Sequence, residues 1–70
     1  MAVNLMLKNN SGETVNVEMI DQYGGNFSSP IDAGMSQNHS LMEDSNVVIN
    51  GNTVHVVSTE DEGMEIVVAA

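Results

Sequence analysis

The side chains in this chain that are able to do chemistry are mostly carboxylates. Ten Asp and Glu stand against one Lys+Arg, Lys8, for a formal net charge of −9. They come partly in runs: Glu43-Asp44, then Glu60-Asp61-Glu62 with Glu65 close behind, and singly Glu13, Glu18, Asp21 and Asp32. Paired carboxylates serve general acid–base catalysis when a desolvated cleft pushes one pKa upward, and a chain of 70 residues has little room for such a cleft. A Gly-x-Ser-x-Gly elbow is absent. The single Ser-His neighbour pair, His39-Ser40, points to opposite sides of any strand. No Arg is present to clamp an anion. The expectation is a protein that is not an enzyme and has no catalytic residues.

Metal chemistry is weighed next. Calcium wants oxygen ligands from alternating positions of a shaped loop. Glu60, Asp61 and Glu62 are consecutive, and Asp21 with Asn26 flanks a Gly24-Gly25 loop; both read as solvated turns. His39 and His55, with Glu43 or Asp44 near in sequence, have no zinc-like spacing, and there is no cysteine to complete a site. No metal and no cofactor are expected.

What remains is pairing with the cations of another macromolecule. One lysine cannot hold a phosphate backbone, so direct nucleic-acid binding is excluded. The expected partner is a protein with a basic surface. Carboxylates two apart on a strand lie ~6.6 Å apart, near the ~6.8 Å of two phosphate steps along one DNA strand. A mimic of that kind associates fast and salt-sensitively. In size and charge the chain is similar to phage-encoded inhibitors of host nucleic-acid machinery, anti-CRISPR proteins and DNA mimics among them; the analogy is one of size and charge, not of motif. The expected contact residues are Glu60, Asp61, Glu62 and Glu65 at one end, with Glu43 and Asp44 as a second cluster. The alternatives are a structural or adhesion-type module, homo-oligomeric, whose charge only keeps it soluble, and a small metal- or sugar-binding domain. Sugars stack on rings, and only Tyr23 and Phe27 are available.

These side chains need a scaffold. Hydrophobic residues make up 41% of the chain and are rich in Val, which separates it from a disordered acidic tail. The pattern is period two. Val3, Leu5 and Leu7 alternate with polar or softer residues, then Asn9-Asn10-Ser11-Gly12 turns the chain. Val15, Val17 and Met19 form a second apolar face, and the two strands are expected to pair as a hairpin. Phe27-Ser28-Ser29 reads as a short strand stopped by Pro30, which confines it to an edge. Ser36 to Met42 reads as a polar strand. Asn50-Gly51 supplies a tight hairpin turn between Val47-Val48-Ile49 and Thr53 to Val57. That hairpin is expected to place Val47, Ile49, Val54 and Val56 on one face, with His55 solvated on the other. Met64, Ile66 and Val68 make a last strand. Ile20, Val48, Val57 and Val67 alternate away from the main set and suggest a second apolar face, with Met6, Met35 and Met42 as soft surface.

The fold class is therefore all-β: a small antiparallel β-sandwich, immunoglobulin-like or prealbumin-like, or a small barrel of six to seven short strands, as a single domain over residues 1–70. The run Leu7-Lys8-Asn9-Asn10-Ser11-Gly12, then Val15-x-Val17, Asp21-x-x-Gly24 and Ile31-Asp32-Ala33-Gly34 resembles the opening of von Hippel–Lindau-type β-domains. The resemblance covers about half the chain, and the family's second-strand aromatic is replaced by Met19 or Ile20. It implies a sandwich used for protein binding and assigns no individual residues. Met1–Lys8 lacks a basic start and a long apolar run, and no stretch reaches membrane-spanning length, so a cytoplasmic protein without membrane contact is expected.

Overall fold

A computed structural model describes residues 2–70; Met1 lies outside the described residues. Seven strands follow one another: β1 (Ala2–Asn9), β2 (Val15–Ile20), β3 (Asn26–Ile31), β4 (Ser36–Met42), β5 (Asn46–Ile49), β6 (Asn52–Val56) and β7 (Glu65–Ala69), with one 3-10 turn at Thr59–Asp61. They form a three-stranded sheet, β4-β1-β7, and a four-stranded sheet, β3-β2-β5-β6. The all-β sandwich is as the alternation implies. All pairings are antiparallel except β1 with β7, which run parallel.

The core lies between the two sheets. Val3, Leu5 and Leu7 from β1 and Val68 from β7 meet Val17, Met19, Ile31, Val47 and Val57. Aliphatic residues fill the core, and both aromatic rings lie outside it: Tyr23 is 77% and Phe27 58% exposed. The accessible surface, 4131 Å², matches the ~4,200 Å² that mass scaling gives for a folded chain of this size, although β6 contributes no fully buried residue.

Three local expectations are overturned. First, β1 and β2 are not a hairpin but belong to different sheets. Asn9, fully buried at the end of β1, donates its amide to the carbonyls of Glu13 (2.6 Å) and Ile31 (2.8 Å). That side chain binds the turn to β3, so the chain crosses to the opposite sheet instead of folding back.

Second, the faces of β6 are exchanged. Asn50 (φ 52°) and Gly51 (φ 78°) form the tight turn with both central residues left-handed. Val47 pairs with His55 but Val48 pairs with Thr53, which leaves Val54 as an extra, bulged residue. One inserted residue inverts all alternation beyond it. His55 therefore shares the inner face with buried Val47, and Val54 and Val56 are 44% and 51% exposed.

Third, no single second apolar face exists. Val57 joins the core, Ile20 and Val48 lie on the outer face of the four-stranded sheet, and Val67 lies on the outer face of the other. Among the softer residues, Met35 is exposed, whereas Met6 and Met42 are half-buried. Pro30 does lie at an edge, although β3 continues through it to Ile31.

The turns give a paired test. Gly51 requires its left-handed φ, so Gly51→Ala should lower stability by about 1 kcal/mol. A Cβ at Gly12 meets nothing within 4 Å and no left-handed backbone is required there. Gly12→Ala should therefore raise stability by about 0.4–1 kcal/mol. Urea midpoints of the two variants, shifted in opposite directions, check this.

Candidate functional site

Strands that reverse at each turn send alternate loops to the same end. The loops after β2 (Asp21–Gly25), β4 (Glu43–Ser45) and β6 (Val57–Met64) therefore gather where β1 begins. The register agrees: Ala2 faces Met42, and Ile20 faces Asn46, which faces Val56. Six of the ten carboxylates, Asp21, Glu43, Asp44, Glu60, Asp61 and Glu62, are carried by these three loops. The lone cation, Lys8, sits toward the opposite end opposite Ser36, its ammonium 3.4 Å from the Gly34 carbonyl.

Backbone bonds stitch the acidic loops together. The Asp44 N–H donates to the Val57 carbonyl and the Val57 N–H to the Ser45 carbonyl, both at 2.9 Å. The Gly63 N–H donates to the Asn4 carbonyl at 2.7 Å, and the Asn4 N–H donates to a Glu62 carboxylate oxygen at 3.2 Å. Asp44 holds a left-handed φ of 69°, a conformation its short polar side chain tolerates. Asp21 closes its own loop, its Oδ1 accepting the N–H groups of Tyr23 and Gly25 at 2.8 Å each. Glu43-Asp44 and Glu60-Asp61-Glu62, expected as separate clusters, are thus carried on neighbouring loops at one end of the sandwich.

Two of the expected contact residues are placed differently from the rest. Glu65 begins β7 opposite Met6, on the outer face of the three-stranded sheet, and its carboxylate lies 3.5 Å from the Ser36 hydroxyl, toward the Lys8 end. It does not join the cluster, because β7 has already turned back along the sheet. Asp61 is at the acidic end but turned inward. Its Oδ2 accepts from the Ser58 N–H at 2.9 Å and contacts His55 Nε2 at 2.7 Å. With the Ser58 hydroxyl accepting the Glu60 N–H, this is a reciprocal capping box on the 3-10 turn.

Burial alone would raise the Asp61 carboxyl. The hydrogen bonds from His55 and the Ser58 N–H, together with the His55 charge, outweigh it and hold the pKa below the ordinary carboxylate value. A depressed carboxyl contributes stability that is present above its unfolded pKa, near 3.9, and is lost as pH falls through the folded value. Asp61→Asn should cost about 1 kcal/mol at neutral pH, the usual worth of a cap. It should also flatten the decline of the urea midpoint below about pH 4, where the unfolded carboxyl titrates. Asp61 positions the acidic turn, and Glu60 and Glu62 carry its exposed charge.

Other concavities offer less. A groove of about 590 Å³ on the outer face of the three-stranded sheet is lined by Asn4, Met6, Asn38, His39, Ser40 and Met64. No Asp or Glu lines it, and the His39 ring faces the other way, sharing the inner face with its partner Leu5, so the groove has no acid–base pair. Among the described residues, no three His, Asp or Glu converge to hold a metal ion. No helix is long and apolar enough to cross a membrane.

Asp21, which the sequence presents as part of a solvated turn, is not among the expected contact residues. The signal was available in strand counting, since Asp21 follows the second strand and therefore shares an end with the loops after the fourth and sixth. Compared with known proteins, the chain matches no family model, no curated sequence and no solved structure.

Proposed function

We propose that this chain is a non-enzymatic, acidic protein-binding module that presents its three-loop end to a basic surface of a partner protein. The observation that carries the reading is the segregation of charge: six carboxylates share one end and the single lysine stands at the other. Crowding like charges costs stability, and a mixed surface avoids that cost. A partner's Lys and Arg relieve the repulsion on binding, which converts the stored cost into affinity and a fast, steered association. The partner class with the densest complementary cations is a protein that handles nucleic acid, so an inhibitor occupying such a groove, of the phage anti-CRISPR or DNA-mimic kind, is the specific form of the proposal.

Affinity capture with the immobilised chain at low and at moderate ionic strength, read by mass spectrometry, tests it. The expected set is rich in basic, nucleic-acid-handling proteins and is released by salt. Recovery of none at low salt overturns the reading.

A further inference from the structure

Both rings of this chain lie at or beside the acidic end. Tyr23 sits on the Asp21–Gly25 loop and Phe27 on the second residue of β3. A chain short of large core residues has nonetheless placed its two largest apolar side chains in solvent, 77% and 58% exposed. Phe27 also walls a crevice of about 220 Å³ between the β2–β3 loop and the β4–β5 turn, with Met19, Leu41 and Met42 as its apolar lining and Asp21 and the buried Ser45 as polar lining. Pockets for small-molecule ligands run to about 300–1,000 Å³; this one is smaller and suits a single long side chain.

Resting on the reading above, we infer that this crevice is the anchor point for one arginine side chain of the basic protein partner, stacked on Phe27 and paired with Asp21. The apolar lining takes the three-methylene stem, as long cationic side chains bury their stems along apolar surface. The planar guanidinium stacks flat on an aromatic face while an N–H on its edge donates to a carboxylate oxygen, a shape an ammonium lacks. Asp21 has an oxygen for it: Oδ1 takes both loop N–H groups, whereas Oδ2 accepts no hydrogen bond among the described residues. The Phe27 ring is held in place by an edge contact with His39, centroids 6.1 Å apart and planes at 64°. Burial lowers the His39 pKa and so disfavours a positive charge on that ring beside the site. Lys8, the one basic side chain, is at the far end and does not reach it.

The test compares two nine-residue peptides, oligo-arginine and oligo-lysine, binding to the intact chain by calorimetry, with backbone amide shifts locating the contact. Arginine should bind about 5- to 20-fold tighter than lysine at equal charge, the size of one cation–π contact, with the largest shifts in Asp21–Phe27 and Leu41–Ser45. Phe27→Leu keeps the crevice apolar and should reduce the ratio toward one while leaving oligo-lysine affinity unchanged. Equal binding of the two peptides, or a ratio untouched by Phe27→Leu, overturns the arginine anchor while the acidic-end reading stands. Binding of neither peptide at low salt overturns both.

Discussion

Glu43→Lys, Glu60→Lys and Glu62→Lys in one chain should slow association with a basic partner by about 100- to 1,000-fold at low salt. The three substitutions leave Asp21, Asp44 and Asp61 at the loop end against three lysines, so its local charge goes from six negative to zero. Steered association reaches about 10⁸–10⁹ M⁻¹s⁻¹, against about 10⁵–10⁶ without steering, and that difference sets the expected loss. A control separates local from overall charge. Glu13→Lys and Asp32→Lys replace carboxylates on the two loops at the Lys8 end and lie away from the acidic loops. The eight residues of β1 span roughly 25 Å at ~3.3 Å each, about three Debye lengths at physiological salt. Charges at the far end are screened from the docking site, so the control should slow association by less than about tenfold at that ionic strength. Stopped-flow binding to a captured partner, or to a basic peptide in its place, reads both. An effect of the far-end pair equal, charge for charge, to that of the triple would mean that net charge alone matters and the loop end is not a site. Glu62→Lys also removes the acceptor of the Asn4 N–H, so a cooperative thermal unfolding transition of the triple is the check that the fold is intact.

Asn9→Ala should cost about 3–5 kcal/mol, and Asn9→Asp more. The Asn9 amide uses both donors, on the Glu13 and Ile31 carbonyls, and its oxygen accepts from the Ser11 N–H at 3.0 Å and the Ser11 hydroxyl at 2.6 Å. Its backbone adds two more links, its N–H to the Met35 carbonyl and its carbonyl from the Gly34 N–H, each 2.9 Å. Truncation leaves the Ile31 carbonyl buried without its partner and frees the β1–β2 turn, and each buried unsatisfied group costs about 1–3 kcal/mol. Asp in the same place loses both donors and aims a charge at two carbonyl oxygens in a buried position, which is dearer still. A domain of this length has roughly 4–10 kcal/mol in all. Asn9→Asp should therefore be largely unfolded at room temperature, with the near-native circular dichroism of Asn9→Ser between it and the parent. A urea midpoint for Asn9→Ala within about 0.5 kcal/mol of the parent, the range of an ordinary surface change, would show that the amide is not the clasp between the sheets.

Much of the architecture could be read along the chain, because alternation is a local property. Each residue's facing depends only on its neighbours two away, so Val3-Leu5-Leu7, Val15-Val17-Met19 and even the polar Ser36–Met42 declare themselves as strands. Asn50-Gly51 likewise announces its turn, since few other pairs accept two left-handed residues. Total charge is simple addition. Local periodicity, however, says nothing about which strands pair, and β1 parted from β2 because one buried amide reached β3. Nor does it register an inserted residue: the Val54 bulge reversed β6, turning His55 inward to meet Asp61 and leaving Val54 and Val56 in solvent. Carboxylates far apart in sequence came to share one end through loop order, Glu65 left it by strand direction, and Phe27 gained a crevice from β4. Facing is set over two residues, whereas proximity is set by closures across most of the chain, and those are resolved only when the two sheets pack.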